Sequence, residues 1–231
     1  MSILTQASDL LPQGGPATAA IFDFDGVLVD SESRWLRTIE QFLTQHGNDA
    51  GGAERFRGVT LEQAIELICT DRDDLKLRQH ELLQELDENY RREIAGITAP
   101  IVAAANFVAR LRPWLPLVVA SNGSRRDVQL MLAATGLADA FQGVFTIDDV
   151  PAGKPAPDLY LAARQSVDSR GAQTLAFDDS PVGVAAAKAA GCVVVGVNAD
   201  PRIALDSDLR IGSFAELEFD SELRRIRSSG R

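Results

Sequence analysis

Short apolar segments recur along the chain, and most are followed by polar residues or glycine. They are four to eight residues long and contain few polar side chains. Strands of a parallel sheet that is covered on both faces have this composition, whereas half-exposed strands alternate between apolar and polar residues. The pattern therefore predicts five buried parallel strands, at residues 17–24, 115–120, 143–147, 174–177 and 192–197.

Helical patterns lie between or after these segments, and each precedes a glycine that is a plausible helix stop. The predicted helices are residues 125–135, 158–167 and 182–190, which precede Gly136, Gly171 and Gly191. Alternation of strands and helices is typical of a doubly wound, Rossmann-like α/β fold with a parallel sheet.

Residues 33–100 interrupt this alternation. Apolar residues recur there at three- and four-residue spacing, most clearly at Leu82, Leu83, Leu86, Tyr90, Ile94 and Ile97. This spacing predicts amphipathic helices, and the segment is too long for an ordinary connection between two strands. We therefore expect a flexible leader at 1–16, an α/β core formed by 17–32 and 101–231, and an inserted all-helical cap at 33–100 over the carboxyl end of the sheet.

The composition is that of a globular chain, with 45% hydrophobic and 24% charged residues among 231, which excludes disorder of the whole chain. The net charge of −10 argues against nucleic acid or an anionic membrane surface as a partner, because both would repel the protein. Cys69 and Cys192 lie far apart in apolar surroundings, which favours buried free thiols in a reducing compartment. Since no signal-peptide pattern or long apolar run is evident, we expect a cytoplasmic protein.

Four polar clusters lie at or just beyond predicted strand ends, where open α/β sheets hold their functional sites. Taken singly, each is equally well a turn, a helix cap or a surface loop. Their occurrence together, in this order, is hard to explain as local structure alone. The clusters are Asp23-Phe24-Asp25-Gly26, Ser121-Asn122-Gly123, Lys154-Pro155 and Asp178-Asp179-Ser180.

Four carboxylates in these clusters, those of Asp23, Asp25, Asp178 and Asp179, are expected to converge. They cannot all remain ionised in one small volume unless a cation neutralises them. Oxygen ligands favour Mg²⁺ before Ca²⁺, and the glycine spacing does not fit an EF-hand loop. His46 and His80 lie in the helical insertion, which argues against a zinc site. A cation combined with the Ser121 hydroxyl and the Lys154 ammonium suits a phosphate dianion.

The chain resembles the haloacid dehalogenase superfamily of phosphotransferases, and within it the β-phosphoglucomutase-like branch with a helical cap. The resemblance covers residues 18 to about 200 and includes four motifs in order. They are Asp23-Phe-Asp-Gly-Val-Leu-Val-Asp-Ser-Glu32, Val119-Ala-Ser-Asn-Gly123, Gly153-Lys-Pro-Ala-Pro-Asp158 and Asp178-Asp-Ser-Pro-Val-Gly183, the last followed by an alanine-rich stretch that ends at Gly191.

This resemblance implies a role for each motif residue. Asp23 would be the nucleophile that forms an aspartyl-phosphate, and Asp25 the acid that protonates the leaving alcohol and then activates water. Ser121 and Lys154 would bind the phosphoryl oxygens, with Asn122 and the Gly26 amide nearby. Mg²⁺ would be held by Asp23, by the Asp25 backbone carbonyl, and by Asp178 or Asp179. Asp30 and Ser180 are expected to be turn and cap residues.

Departures from the family pattern favour a phosphatase of small phosphate monoesters, such as sugar phosphates, over a phosphosugar mutase. The mutases carry a histidine twelve residues after the nucleophile, where this chain has Trp35, and an arginine three residues after a cap glycine, where it has Leu61 after Gly58. A non-catalytic receiver-like signalling module is a weaker alternative. Receivers are about half this length and lack both the helical insertion and an acid two residues after the nucleophile.

The substrate is expected to be a small phosphorylated metabolite, selected by the cap. Arg55, Arg57, Gly58 and Thr60 resemble the family's specificity loop, and Trp35 lies near the start of the cap. Arg57 and Trp35 are thus candidate substrate-binding residues. A solvated helix start with two exposed arginines is an equally good interpretation of the loop. The oligomeric state is expected to be a monomer or a small homo-oligomer.

Overall fold

The computed structural model describes residues 11, 15–47, 52–57, 59–70, 72–167 and 173–228. The chain divides into two compact units, Met1–Val29 with Ala99–Arg231 and Asp30–Thr98. We call the first the α/β unit and the second the helical unit. The helical unit begins three residues before, and ends two residues before, the predicted cap.

A six-stranded parallel sheet forms the centre of the α/β unit, in the order β3-β2-β1-β4-β5-β6. All five predicted strands are present, which confirms the doubly wound fold class. The sixth was missed because the central arginine of Leu209-Arg210-Ile211 interrupts the apolar pattern,. The strands are β1 (Ala17–Phe22), β2 (Leu117–Ala120), β3 (Gly143–Phe145), β4 (Gln173–Asp178), β5 (Val193–Val197) and β6 (Leu209–Ile211).

The topology determines where a site can form. The chain runs from β1 outward to β3, then returns to add β4 on the other side of β1. Ligands of open α/β sheets bind at such a reversal of strand order, at the carboxyl ends of the strands. Phe22 of β1 pairs with Phe177 of β4, so the residues after these two positions, Asp23 and Asp178, are neighbours.

Four helices pack on the sheet, and their apolar faces cover both of its sides. On one side, Phe22 and Phe177 of the sheet stack with ring centroids 4.7 Å apart, and Phe107 and Phe214 pack on Phe177. The three predicted helices match the structure to within one residue at each end. The four helices are α5 (Val102–Leu111), α6 (Arg125–Ala134), α7 (Asp158–Ser166) and α8 (Pro181–Ala189).

An antiparallel hairpin of β7 (Leu217–Asp220) and β8 (Arg225–Ser228) follows the sheet and was not predicted. Leu11 exchanges two backbone hydrogen bonds with Ile226 of this hairpin, at 2.8 and 2.7 Å. The backbone groups of Leu11, within the predicted leader, are therefore paired, and the flexibility of the leader stays a prediction. Most other residues of the predicted leader lie outside the described residues.

The helical unit contains α1 (Ser31–Gln45), α2 (Leu61–Cys69), α3 (Asp73–Lys76) and α4 (Gln79–Ile94). The described residues of this unit form no strand, as predicted. Its core includes Phe42, Ile65, Leu82 and Leu86, so the predicted apolar stripe of α4 does face inward. Asp30 caps α1 by accepting hydrogen bonds from the Ser33 amide and hydroxyl, as expected. Within the described part of the chain, every helix is too short or too polar to cross a lipid bilayer.

Candidate active site

A tight turn after β1 presents the first pair of carboxylates. The Gly26 amide donates to the Val29 carbonyl at 2.8 Å, and the Leu28 and Val29 amides both donate to the Phe24 carbonyl. Gly26 has a φ of +75°, a conformation that costs residues other than glycine about 1–2 kcal/mol. A Cβ there would lie 2.1 Å from Asp179 Oδ2. Glycine is therefore required both by the turn and by the approach of Asp179.

Lys154 lies between two of the predicted carboxylates. Its Nζ is 2.5 Å from Asp23 Oδ1 and 2.8 Å from Asp178 Oδ2, and its side chain is 4% exposed. Burial lowers the pKa of Lys154, but the negative charges of Asp178 and Asp23 outweigh burial and raise it above its usual value. Lys154 is therefore a fixed positive charge beside the carboxylate of Asp23.

Asp178 is completely buried, and both of its oxygens accept hydrogen bonds from the protein. The Ser180 amide and hydroxyl donate to Oδ1 at 2.9 and 2.8 Å. Lys154 Nζ and the Tyr160 hydroxyl donate to Oδ2 at 2.8 and 2.7 Å. Ser180 also caps α8 by accepting from the Gly183 amide, which confirms its predicted cap role. Because its two oxygens already accept four hydrogen bonds, Asp178 can hold Lys154 but is poorly suited to bind a further ligand.

Asp179 completes a cluster of three carboxylates. Oxygens of Asp23, Asp178 and Asp179 all lie within 4.8 Å of one another, and Asp179 is the partly exposed member. Burial and the neighbouring charge of Asp178 raise the pKa of Asp179 to about 7. Burial also raises the pKa of Asp23 well above its usual value, against the attraction of Lys154. Three carboxylates with one ammonium would be stabilised by a further cation, so the donor set fits a hard divalent ion.

A cavity of about 230 Å³ borders Gly26 and Asp179. Asp179 is thus the member of the carboxylate cluster that lines this cavity, whereas Lys154 and Asp178 are enclosed. The other residues that line the cavity are Val27, Ile101, Val197, Asn198, Ala199, Gly212, Ser213 and Phe214.

Ser121 links the second motif to the first. Its hydroxyl donates to Asp25 Oδ2 at 3.1 Å and accepts from the Gly123 amide at 2.9 Å. The side chain is completely buried and follows β2 directly. The structure thus brings together the two carboxylates of the first motif, Ser121, Lys154 and the carboxylate pair at the end of β4, as the sequence predicted.

Asn122 contacts the backbone of Lys154. Its Oδ1 accepts from the Lys154 amide at 2.8 Å, and its Nδ2 donates to the Lys154 carbonyl at 3.3 Å. The predicted proximity of Asn122 to the site holds, but this side chain positions the lysine. The Gly26 amide, which was predicted to lie near the phosphoryl group, donates to Val29 within the turn, and its contact with phosphate stays a prediction.

The predicted substrate-binding residues of the cap have partners inside the helical unit. Trp35 is 6% exposed, and its Nε1 donates to the Phe56 carbonyl at 2.8 Å. Trp35 therefore packs in the core of the helical unit, and its contact with substrate stays a prediction. The Arg57 guanidinium lies 3.0 Å from Glu54 and 3.6 Å from Glu32, which favours the interpretation as a solvated helix start.

The rest of the predicted specificity loop gives a similar result. Thr60 caps α2 through reciprocal hydrogen bonds with Gln63, and Arg55 lies over the Phe56 ring. Gly58 lies outside the described residues.

Two residues next to the site were missed by sequence reasoning. Asn198 follows β5 directly and donates to the Asp179 carbonyl at 2.9 Å, so a polar residue at a strand end was the available signal. Tyr160 lies on α7 within its buried face. A buried tyrosine hydroxyl needs a partner, but its position in an apolar helix pattern gave no indication that Asp178 would be that partner.

The comparisons with known proteins agree with this geometry. A family model described as haloacid dehalogenase-like hydrolase matches residues 17–191. The chain is 31% identical to the Bacillus subtilis protein named "Putative phosphatase YhcW" and 27% identical to the B. subtilis β-phosphoglucomutase, and each alignment covers 91% of this chain and 98% of the relative. The crystal structure of CbbY from Rhodobacter sphaeroides in complex with phosphate has the same fold. Its TM-score is 0.71 at 24% identity, and the match covers 87% of this chain and 96% of that one.

Proposed function

The chain belongs to the haloacid dehalogenase-like hydrolase family, and on that basis we propose that it is a Mg²⁺-dependent phosphatase of small phosphate monoesters. The observation that carries this proposal is the contact of the Asp23 carboxylate with Lys154, at the strand end where Asp25 and Ser121 also meet. A carboxylate held by a buried ammonium, with a second carboxylic acid two residues later, supplies both a nucleophile and an acid–base group.

The reaction would proceed in two balanced steps. An oxygen of Asp23 attacks phosphorus, the bond from phosphorus to the ester oxygen breaks, and Asp25 gives its proton to the leaving alcohol. Asp25 then accepts a proton from the water that attacks the aspartyl-phosphate, which releases inorganic phosphate and restores Asp23. Lys154 and Ser121 would bind phosphoryl oxygens, where positive charge and donors stabilise the transition state.

Asp23, Asp179 and the backbone carbonyl of Asp25 are the groups that would hold Mg²⁺. Asp179 is preferred to Asp178 because the oxygens of Asp178 already accept four hydrogen bonds. When bound, the ion supplies positive charge that neutralises the phosphoryl oxygens.

The relatives support sugar phosphates as the substrate class. They include the fructose-1-phosphate phosphatase YqaB of Escherichia coli, at 28% identity, as well as the β-phosphoglucomutase. A hydrolase is preferred to a mutase because Trp35 occupies the position of the mutases' histidine, and its indole N–H is engaged with Phe56. The partner would then be a small phosphorylated metabolite in the cytoplasm, where the buried free thiols of Cys69 and Cys192 remain reduced,.

The test is a phosphate-release screen over phosphorylated metabolites, with p-nitrophenyl phosphate as a generic substrate. We expect Mg²⁺-dependent turnover that falls at least a thousandfold in Asp23→Asn and Asp25→Ala. An Asp23→Asn protein as active as the parent would refute the proposal. Faster formation of glucose 6-phosphate than of inorganic phosphate, from β-glucose 1-phosphate with a bisphosphate activator, would replace the phosphatase by a mutase.

A further inference from the structure

Tyr160 lies beneath the carboxylate cluster and has no role in the reaction described above. Its side chain is completely buried, and its hydroxyl donates to Asp178 Oδ2 at 2.7 Å. The same oxygen accepts from Lys154 Nζ at 2.8 Å. The two donors therefore share one acceptor atom, and the position of either affects the other.

The ring of Tyr160 also contacts the lysine. Lys154 Nζ lies 5.1 Å from the ring centroid, a distance at which an ammonium is attracted to an aromatic face. Burial and the charge of Asp178 raise the pKa of Tyr160 well above its usual value, so the phenol keeps its proton and remains a donor. Tyr160 thus contacts Lys154 through its ring, and through its hydroxyl it contacts Asp178, which also binds Lys154.

The Tyr160 hydroxyl influences whether Lys154 Nζ lies closer to Asp23 or to Asp178. Nζ lies 2.5 Å from Asp23 and 2.8 Å from Asp178. Donation from Tyr160 withdraws negative charge from Oδ2 of Asp178, which weakens the pull of that oxygen on the ammonium. Without the hydroxyl, Oδ2 would retain Lys154 as its described donor, and the ammonium would move toward Asp178 and away from Asp23.

We propose that Tyr160 is a positioning residue, whose hydroxyl holds Asp178 so that Lys154 remains directed at Asp23 and the phosphoryl site. This inference rests on the proposed function and adds a residue to it. It separates the site into a phosphate side, which depends on Tyr160 through Lys154, and a metal side at Asp179, which does not.

The test is Tyr160→Phe, which removes the hydroxyl and keeps the ring and its contact with Lys154. We expect kcat/KM for p-nitrophenyl phosphate to fall at least 10-fold. Inorganic phosphate affinity, measured by calorimetry with Mg²⁺ present, should weaken at least 3-fold. The Mg²⁺ concentration for half-maximal activity, or for half-maximal thermal stabilisation, should change less than 2-fold.

A matched control is Thr174→Val. Thr174 is also a completely buried hydroxyl, on the same strand as Asp178, but its Oγ1 has no hydrogen-bond partner in the described structure. Every one of these quantities should stay within 2-fold of the parent in Thr174→Val.

Other outcomes overturn the proposal. The proposal is overturned if Tyr160→Phe has the same phosphate affinity and kcat/KM as Thr174→Val. It is also overturned if Tyr160→Phe weakens the binding of Mg²⁺ and of phosphate equally, or if this variant does not fold. Failure of the proposed function is recognised separately, as turnover by the parent that Asp23→Asn does not reduce, or as no turnover at all. The phosphate calorimetry needs no turnover and decides the role of Tyr160 in either case.

Discussion

Replacement of Gly26 by alanine tests the turn that joins Asp23 and Asp25 to the proposed metal side of the site. Two costs are expected, and the structure separates them. The first is backbone strain, because φ is +75° at Gly26 and this conformation costs alanine about 1–2 kcal/mol. For a chain of this size, that loss lowers Tm by about 2–8 °C.

The second cost is steric and falls on Asp179. The new Cβ would lie 2.1 Å from Oδ2 and 2.8 Å from Cγ of Asp179, about 1.3 Å short of ordinary contact for the closer atom. Asp179 must therefore move by more than 1 Å. Because a misplacement of about 1 Å can cost on the order of 100-fold in rate, we expect kcat/KM to fall about 100-fold. The Mg²⁺ concentration for half-maximal activity should rise at least 10-fold.

Gly136→Ala is the matched control. Gly136 has a φ of +72°, and a Cβ there would meet nothing within 4 Å, so this variant carries the backbone strain alone. Thermal denaturation and Mg²⁺ titration of p-nitrophenyl phosphate hydrolysis measure both quantities. We expect similar losses of Tm in the two variants and a kinetic loss only in Gly26→Ala. Equal Mg²⁺ dependence and equal kcat/KM in the two variants would refute this account of the turn.

Three further predictions concern the lysine, the metal and the helical unit. In Asn122→Ala, the hydrogen bonds to the Lys154 amide and carbonyl are lost, so kcat/KM should fall at least 10-fold while Tm falls a few degrees; an unchanged rate in a steady-state assay would contradict the positioning role. Burial and the charge of Asp178 raise the pKa of Asp179 from 3.8 to about 7. Between these pH values the metal-free folded state binds more protons than the unfolded state, so the stability of the folded state should decrease as pH rises from about 4 to about 7. Mg²⁺ needs the carboxylate, so the Tm increase it produces should be larger at pH 8 than at pH 5.5, and a larger increase at pH 5.5 would count against Asp179 as a ligand. In Trp35→Phe, the hydrogen bond to the Phe56 carbonyl is lost, which should lower the free energy of unfolding by about 1 kcal/mol. KM should stay within 2-fold of the parent in a substrate titration, and a large rise in KM would instead support Trp35 as a substrate contact.

Much of the α/β unit could be predicted because its signals are local. Apolar runs identified β1 to β5, and the helical patterns between or after them identified α6, α7 and α8 to within one residue at each end. The hairpin of β7 and β8 was missed, since Arg225–Ser228 carries little apolar character, and its position depends on pairing with distant residues such as Leu11. The roles of the cap residues depend on tertiary contacts in the same way. Sequence pattern does not distinguish an indole at a binding surface from one whose N–H is donated to a carbonyl in the core.

The sequence by itself determined which chemistry this protein can hold, because the residues after the apolar strands are carboxylates, a hydroxyl and a lysine in a specific order. Only the tertiary structure decided how the two adjacent acids at the end of β4 differ in burial and in partners. Asp178 and Asp179 have the same side chain and neighbouring positions, yet one is enclosed by Ser180, Tyr160 and Lys154, and the other lines an open cavity beside Gly26. Apart from Ser180, the partners that make them different are distant in the sequence. Such partners become neighbours only when the strand order brings β1, β4 and α7 together.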